Sequence, residues 1–130
     1  MSWQAGFCVT YQGVSLRFAF AHSGGLWWAA EDLCTLFRIP ESLTVIFLDL
    51  DPSDRTELQP YHTRVVNSAA LHPWVETAEL DRFHAWIRYW LFPVLGEAFT
   101  TGIRDAAEAM AILHRKGVTA WPVEDDESVF

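Results

Sequence analysis

Apolar and polar residues alternate along the first thirty positions of the chain, with the two-residue period of a half-buried β-strand. The alternation predicts strands over Trp3 to Tyr11 and Val14 to Ala21, and a short third strand over Leu26-Trp27-Trp28. Gly13 and the run Ser23-Gly24-Gly25 separate these segments and are residues that tight turns require. The start of the chain is therefore predicted to form an antiparallel meander.

The period changes after the third strand. Apolar residues recur at helical spacing from Ala29 to Phe37, and Pro40 marks the end of that helix. The apolar segment Leu43 to Leu50 predicts a strand, an acidic turn follows from Asp49 to Asp54, and His62 to Asn67 predicts the return strand. These segments predict a second hairpin-like unit.

The clearest helical pattern lies between Ala78 and Phe92, where apolar residues form one stripe. Thr77 is the predicted N-cap of this helix, and Pro93 is expected to end or kink it. A last helix is predicted from about Ile103 to Lys116, with Gly117 as its C-cap residue.

The elements predict an α+β fold, in which a small antiparallel sheet made of hairpins packs against two to four helices. At 130 residues the chain has the length of one ordinary domain. Residues 1–117 are assigned to that single domain, including its C-terminal helix. Residues 118–130 are expected to form a short extended segment and an acidic tail.

Composition supports a folded core and argues against general binding of phosphate. Hydrophobic residues make up 51% of the chain, which excludes a disordered protein. The formal net charge is -8, and Lys116 is the single lysine. Neutralising a nucleic-acid backbone requires clustered lysine and arginine, so any DNA contact must rely on cations segregated to one surface.

Cysteine usage and hydropathy point to the cytoplasm. Cys8 and Cys34 lie in hydrophobic segments without a partner motif, so buried free thiols are favoured over a disulfide. The N-terminus lacks the basic and apolar regions of a signal peptide. No apolar run approaches the roughly eighteen residues that a membrane span needs, and we expect no membrane contact.

No motif predicts catalysis, a cofactor or a metal site. The side chains of Asp49, Asp51 and Asp54 offer oxygen ligands. In a calcium loop that began at Asp49, however, the sixth position would be glycine and the twelfth glutamate, and this chain has Asp54 and Pro60 there. An acidic turn between strands is the better interpretation. The five histidines are dispersed, and the nucleophile elbow, the P-loop and the dinucleotide fingerprint are absent. We therefore expect a protein that is not an enzyme.

A second stripe on the helix at Ala78 to Phe92 combines one cation with two amphipathic aromatics: Arg82, Trp86 and Tyr89. These residue types dominate binding hot spots and also suit stacking on nucleic-acid bases. The alternative interpretation is that Trp86 packs against the sheet as part of a wide apolar face.

Three stretches resemble the BRO-N domain of phage antirepressors and large-virus proteins. Leu26 to Leu36 is similar to that family's aromatic pair, small residue and Asp-initiated helix. Val65 to Leu71 resembles its strand that ends in Asn before a short helix, and Phe83 to Trp86, with Pro93 after it, resembles its Phe-x-x-Trp helix with a Leu-Pro end. The likeness covers roughly Val14 to Phe99.

The chain departs from that family where positive charge is expected. Glu31 stands where the family commonly has Lys, Ala70 and His72 replace Gly and Tyr, and His84-Ala85 replaces a basic pair. The resemblance implies a regulator that binds DNA or a repressor protein in a bacterial host cell. In longer members the domain precedes a separate C-terminal module, so this chain is expected to be a standalone version whose function need not be the family's.

Two functional hypotheses follow. The first is an antirepressor-like regulatory protein that binds DNA or a regulator protein. Its candidate contact residues are Arg17, Arg64, Arg82, Trp86, Arg88 and Tyr89. The alternative is a phage-encoded acidic inhibitor of the anti-CRISPR type, which mimics nucleic acid in the basic channel of a host defence complex. Its candidate residues are Asp49, Asp51, Asp54, Glu124, Asp125, Asp126 and Glu127. The seven tryptophans also make a homodimer a candidate assembly for either function.

Overall fold

The protein is an α+β protein, as the sequence predicts, with 48% of its residues in helices and 26% in strands. The structure, a computed structural model, describes residues 3–123, apart from the side chain of Gln4. The contacts divide these residues into two compact units. One comprises residues 3–75 and 120–123 and is called the sheet unit, and the other comprises residues 76–119 and is called the helical unit.

The described residues form one six-stranded sheet, with the strand order β4-β5-β3-β2-β1-β6. The strands are β1 (Trp3–Tyr11), β2 (Val14–Ala21), β3 (Leu26–Ala29), β4 (Arg55–Leu58), β5 (Thr63–Val66) and β6 (Thr119–Trp121). The pairs β1/β2, β2/β3, β3/β5 and β4/β5 are antiparallel, which confirms the predicted meander. Gln12 and Gly13 both have positive φ in the two-residue turn between β1 and β2, the geometry that suits the twist of a hairpin.

Both faces of the sheet are apolar. Phe18 on β2 contacts the rings of Phe7 and Trp28 on the neighbouring strands, at centroid distances of 5.6 and 4.9 Å. On the other face, Trp3 meets Trp27 edge to face, within a buried cluster that also contains small and branched side chains. Because both faces carry buried side chains, the core of the sheet unit lies on either side of the central strands.

Two helices belong to the sheet unit, α1 (Ala30–Leu36) and α2 (Leu43–Asp49). The first lies where the sequence predicts a helix. The prediction of a strand over Leu43 to Leu50 is wrong, because Ser42 caps a helix there: its hydroxyl accepts from the backbone N–H of Val45 at 3.3 Å. Ile46 is the buried anchor of this helix.

The acidic segment after α2 folds as a 3₁₀ turn over Pro52–Asp54 and leads into β4, a strand that the sequence pattern does not predict. The predicted return strand is confirmed as β5. A second 3₁₀ turn, Ser68–Leu71, follows it. The sheet therefore ends in a β4–β5 hairpin whose loop contains a cis Gln59-Pro60 bond.

The helical unit contains α3 (Thr77–Trp86), α4 (Phe92–Gly102) and α5 (Ala106–Arg115). A π-helical turn, Ile87–Leu91, joins α3 to α4, so the helix runs on through Pro93, which occupies the tolerated first turn of α4. Pro93 was expected to end or kink the helix, and of these two outcomes the structure excludes an end.

Cap residues fix the other ends of these helices. Thr77 is the first residue of α3 rather than its cap, since Glu76 precedes it and caps without a side-chain bond. The last helix begins at Ala106 because Asp105 accepts from the backbone N–H of Glu108, and Gly117 has the positive φ expected after its end.

The predicted extended segment after α5 is confirmed as β6. The acidic residues Glu124 to Glu127 lie outside the described residues. Between residues 3 and 123, no helix combines the length and apolarity that crossing a membrane requires.

Candidate binding cleft of the sheet unit

A cleft of about 360 Å³ opens where β3 ends and the chain turns into α1. The last residue of β3 pairs with Val65, whereas β2 and β5 both continue beyond this point. Two of the predicted contact residues, Arg17 on β2 and Arg64 on β5, lie at this opening. The lining residues are Arg17, Glu31, Leu43, Tyr61, His62, Thr63 and Arg64.

Arg17 is held by Asp32 on α1. One carboxylate oxygen accepts from the backbone N–H of Arg17 at 2.8 Å and from Nε at 3.0 Å, and the other oxygen accepts from Nη2 at 3.0 Å. The Arg17 guanidinium also lies 5.6 Å from the ring centre of Trp121. The hydrogen bond to Asp32 raises the pKa of Arg17 and outweighs the opposing effect of burial. Arg17 therefore joins the middle of β2 to α1, and much of its charge is already compensated.

Arg64 is positioned differently from Arg17, because the side chains that orient it, Phe47 and Thr44, carry no charge. Its guanidinium lies 5.2 Å from the ring centre of Phe47, and Nη1 donates to the hydroxyl of Thr44 at 3.3 Å. Arg55 approaches the same ring at 5.4 Å. One phenylalanine of α2 thus orients two guanidinium groups of the β4–β5 hairpin. Glu57 is the cross-strand partner of Arg64, and its carboxylate lies 3.6 Å from His62 Nδ1.

The tip of the β4–β5 hairpin supplies the aromatic side of the cleft. Tyr61 is 71% exposed, and His62, which follows it with a positive φ, is also exposed. The His62 ring is restrained by Gln59, whose amide nitrogen lies 3.2 Å from Nδ1. An exposed tyrosine beside an oriented arginine, with Leu43 as an apolar wall, is an arrangement that suits an acidic or aromatic side chain of a partner.

The remaining contact candidates lie in the helical unit. Arg82 and Arg88 are exposed, and the Arg88 guanidinium lies 6.0 Å from the ring centre of Tyr89, which is 74% exposed. Trp86 is half-buried and stacks on its own helix, with ring centres 5.9 Å from Phe83 and 5.5 Å from Trp90. The predicted stripe of Arg82, Trp86 and Tyr89 does not form one exposed surface, because Trp86 packs within its own helix while Tyr89 faces solvent.

The acidic candidates line a second opening of about 240 Å³ in the sheet unit. Asp51 accepts from the backbone N–H and the hydroxyl of Ser53, and these bonds lower its pKa. Asp54 accepts from the side-chain amide of Asn67 at 3.3 Å. Asp49 is exposed at the end of α2. At least two of these carboxylates thus hold a turn together. The other four acidic candidates, Glu124 to Glu127, lie outside the described residues.

Sequence reasoning missed several residues that build the cleft. Phe47 and Thr44 were assigned to a strand, so their position beside Arg64 was not predicted. Asp32 was placed only within a predicted helix, with no partner. The one local signal was Ser42 ahead of the apolar run, a typical N-cap residue. Cys8 and Cys34 are free thiols, as predicted, but both are partly exposed rather than buried.

No group of three histidine, cysteine or carboxylate side chains suited to a metal ion lies among residues 3–123. Comparisons with protein-family models, with curated proteins and with solved structures found no match to this chain.

Proposed function

We propose that the protein is a regulatory binding protein, of the antirepressor-like kind that the BRO-N resemblance implies, and that it binds a regulator protein rather than DNA. Its proposed place of action is the cytoplasm of a bacterial host. The observation that carries the proposal is the cleft of the sheet unit, where Arg64 is oriented by Phe47 and Thr44 beside the exposed Tyr61.

The distribution of charge favours a protein over DNA. The described part of the sheet unit contains four arginines and seven carboxylates, and the helical unit contains five cations and six carboxylates. Binding to a phosphate backbone depends on several cations acting together. Arg17 is bonded to Asp32 and Arg115 to Glu108 at 3.2 Å, which leaves fewer cations for phosphate.

The cleft suits a single acidic side chain flanked by apolar or aromatic residues. Arg64 would donate to the partner's carboxylate, Tyr61 would pack on the neighbouring side chain, and Leu43 would contribute apolar contact. Arginine and tyrosine often provide most of the energy of a protein interface, and an arginine that is already oriented loses less side-chain entropy on binding.

The test is capture from a lysate of the native host, with and without nuclease, by the wild-type protein and by R64Q. We expect nuclease-resistant protein partners whose recovery falls at least about tenfold with R64Q, corresponding to about 1.4 kcal/mol. R38Q is the matched control, because Arg38 is an exposed arginine of the same unit and does not line the cleft. Added salt should weaken the retention.

Two results would contradict the proposal. One is recovery of DNA, with protein partners lost on nuclease treatment. The other is equal retention of partners by wild-type and R64Q proteins when circular dichroism shows both to be folded. The acidic-inhibitor hypothesis stays a prediction. We do not propose it, because Asp51 and Asp54 already accept hydrogen bonds from Ser53 and Asn67.

A further inference from the structure

The helical unit exposes a row of apolar side chains along one side of α4. The row starts in the π-helical turn, and its members from Phe92 to Ile103 have spacings of four, three and four residues, so these lie above one another on one side of the helix. We call it the α4 stripe, and its residues are Tyr89, Phe92, Gly96, Phe99 and Ile103. Tyr89 and Ile103 at its ends are 74% and 86% exposed, and Phe92 and Phe99 are 43% and 37% exposed.

The stripe is distinct from the side on which α4 packs within its own unit. Val94, Leu95 and Ala98 are the buried residues of α4, and α5 packs against this helix. Gly102 marks the close approach, since a Cβ there would meet the Cβ of Ala109 at 3.4 Å. The fully buried side chains of α4 therefore differ from the residues of the stripe.

Gly96 at the centre of the stripe is a second, independent observation. Glycine destabilises the interior of a helix relative to alanine. A Cβ at Gly96 would meet no atom within 4 Å, so nothing within the described chain requires a glycine here. A glycine in the middle of an exposed apolar row is what permits close approach by another helix.

We propose that two copies of the protein associate through their α4 stripes, packed antiparallel about a two-fold axis at Gly96. Tyr89 and Ile103 both lie seven residues from Gly96, so each tyrosine would meet the isoleucine of the other copy. Phe92 and Phe99 lie four and three residues away and would meet in the same manner. The stripe is thus self-complementary, as a two-fold interface requires.

The exposed area agrees with a weak to moderate dimer. At about 200 Å² for each fully exposed side chain, the four exposed fractions correspond to about 480 Å² per copy. Pairing two copies would bury roughly 1,000 Å² in total, close to the lower limit for a specific interface. The stripe contains no charged residue, so salt should leave the dimer unchanged or strengthen it. Binding at Arg64 should instead weaken with salt, which separates the two proposals.

Sedimentation velocity of the full chain tests the proposal over protein concentrations from about 1 to 100 µM. We expect a monomer–dimer equilibrium in the wild-type protein and a dissociation constant at least about tenfold higher in F92E. A107E is the matched control, because Ala107 is exposed on α5 rather than on α4 and receives the same charge. Its dissociation constant should match that of the wild-type protein.

Substitution of Gly96 tests the interface without destabilising the monomer. G96A should raise the thermal midpoint of the monomer, since alanine favours the helix, and should weaken the dimer. G96C should form a disulfide with the same position of a second copy, whereas I103C should not, when Cys8 and Cys34 are replaced. A wild-type protein that stays monomeric overturns the proposal. Equal effects of F92E and A107E, or self-crosslinking by I103C alone, overturn it too.

Discussion

Replacing Asp32 should weaken the sheet unit strongly, because one carboxylate completes three hydrogen bonds at the point where β2 loses its neighbour β3. The substitution D32A leaves the backbone N–H of Arg17, which donates at 2.8 Å, without its charged acceptor. Such a bond is worth about 1.5 to 3 kcal/mol. The guanidinium loses two further bonds, which add about 1 kcal/mol because the Arg17 side chain is 31% exposed.

We therefore expect D32A to lower the free energy of unfolding by about 3 kcal/mol. D32N keeps one acceptor oxygen and should cost about half as much. Urea denaturation followed by circular dichroism measures both values from the shift in midpoint at unchanged slope. E31Q is the matched control, since Glu31 precedes Asp32 in the first turn of α1, is 75% exposed and lies 3.6 Å from Arg17 Nη2. It should change stability by less than about 0.5 kcal/mol. If D32A and E31Q had equally small effects, the carboxylate would not stabilise β2 at Arg17, and the reasoning would be refuted.

Two further predictions concern the helical unit. Burial lowers the pKa of His84, Arg88 lowers it further and Asp81 opposes the shift. As the pH falls below the ordinary value near 6.5, the unfolded chain therefore binds more protons than the folded one, and stability is lost. As the pH is lowered from about 7.5 to 5, the urea midpoint of the wild-type protein should fall more steeply than that of H84L, and parallel profiles would contradict a lowered pKa of His84. D105A removes the N-cap bond to Glu108 and should cost about 1 kcal/mol. D105S should recover most of that stability in thermal denaturation, and equal midpoints for the two variants would show that the cap contributes little.

The meander and the last helix were predictable because their local signals and their tertiary environment agree. The strand periodicity predicts β1 and β2, Gly13 predicts the turn between them, and Gly117 predicts the end of α5. The structure has all three. The segment Leu43 to Leu50 shows the opposite situation. Its β-branched residues favour a strand, but the Ser42 cap and the burial of Ile46 favour a helix, and the second combination prevails.

The cleft could be predicted only in part. Arg17 and Arg64 were recognised as cations, but 46 intervening residues hide the fact that they line one opening. The partners of the two arginines could not be predicted either, because Asp32 and Phe47 come close to them only when the chain is folded. β4 escaped prediction because Leu58 is its single buried residue, which leaves almost no hydrophobic alternation to detect.

The π-helical turn Ile87–Leu91 amounts to one additional residue within a helix that runs from Thr77 to Gly102. One residue corresponds to a rotation of about 100° around a helix axis. Deleting a single residue in this turn would restore an ordinary helix and rotate everything after it relative to α3. The part of the α4 stripe from Phe92 to Ile103 would then point in another direction relative to α3, although none of those residues had changed. Insertion or deletion of one residue in this turn is therefore a way in which related sequences can gain or lose an exposed surface without any change in the residues that form it.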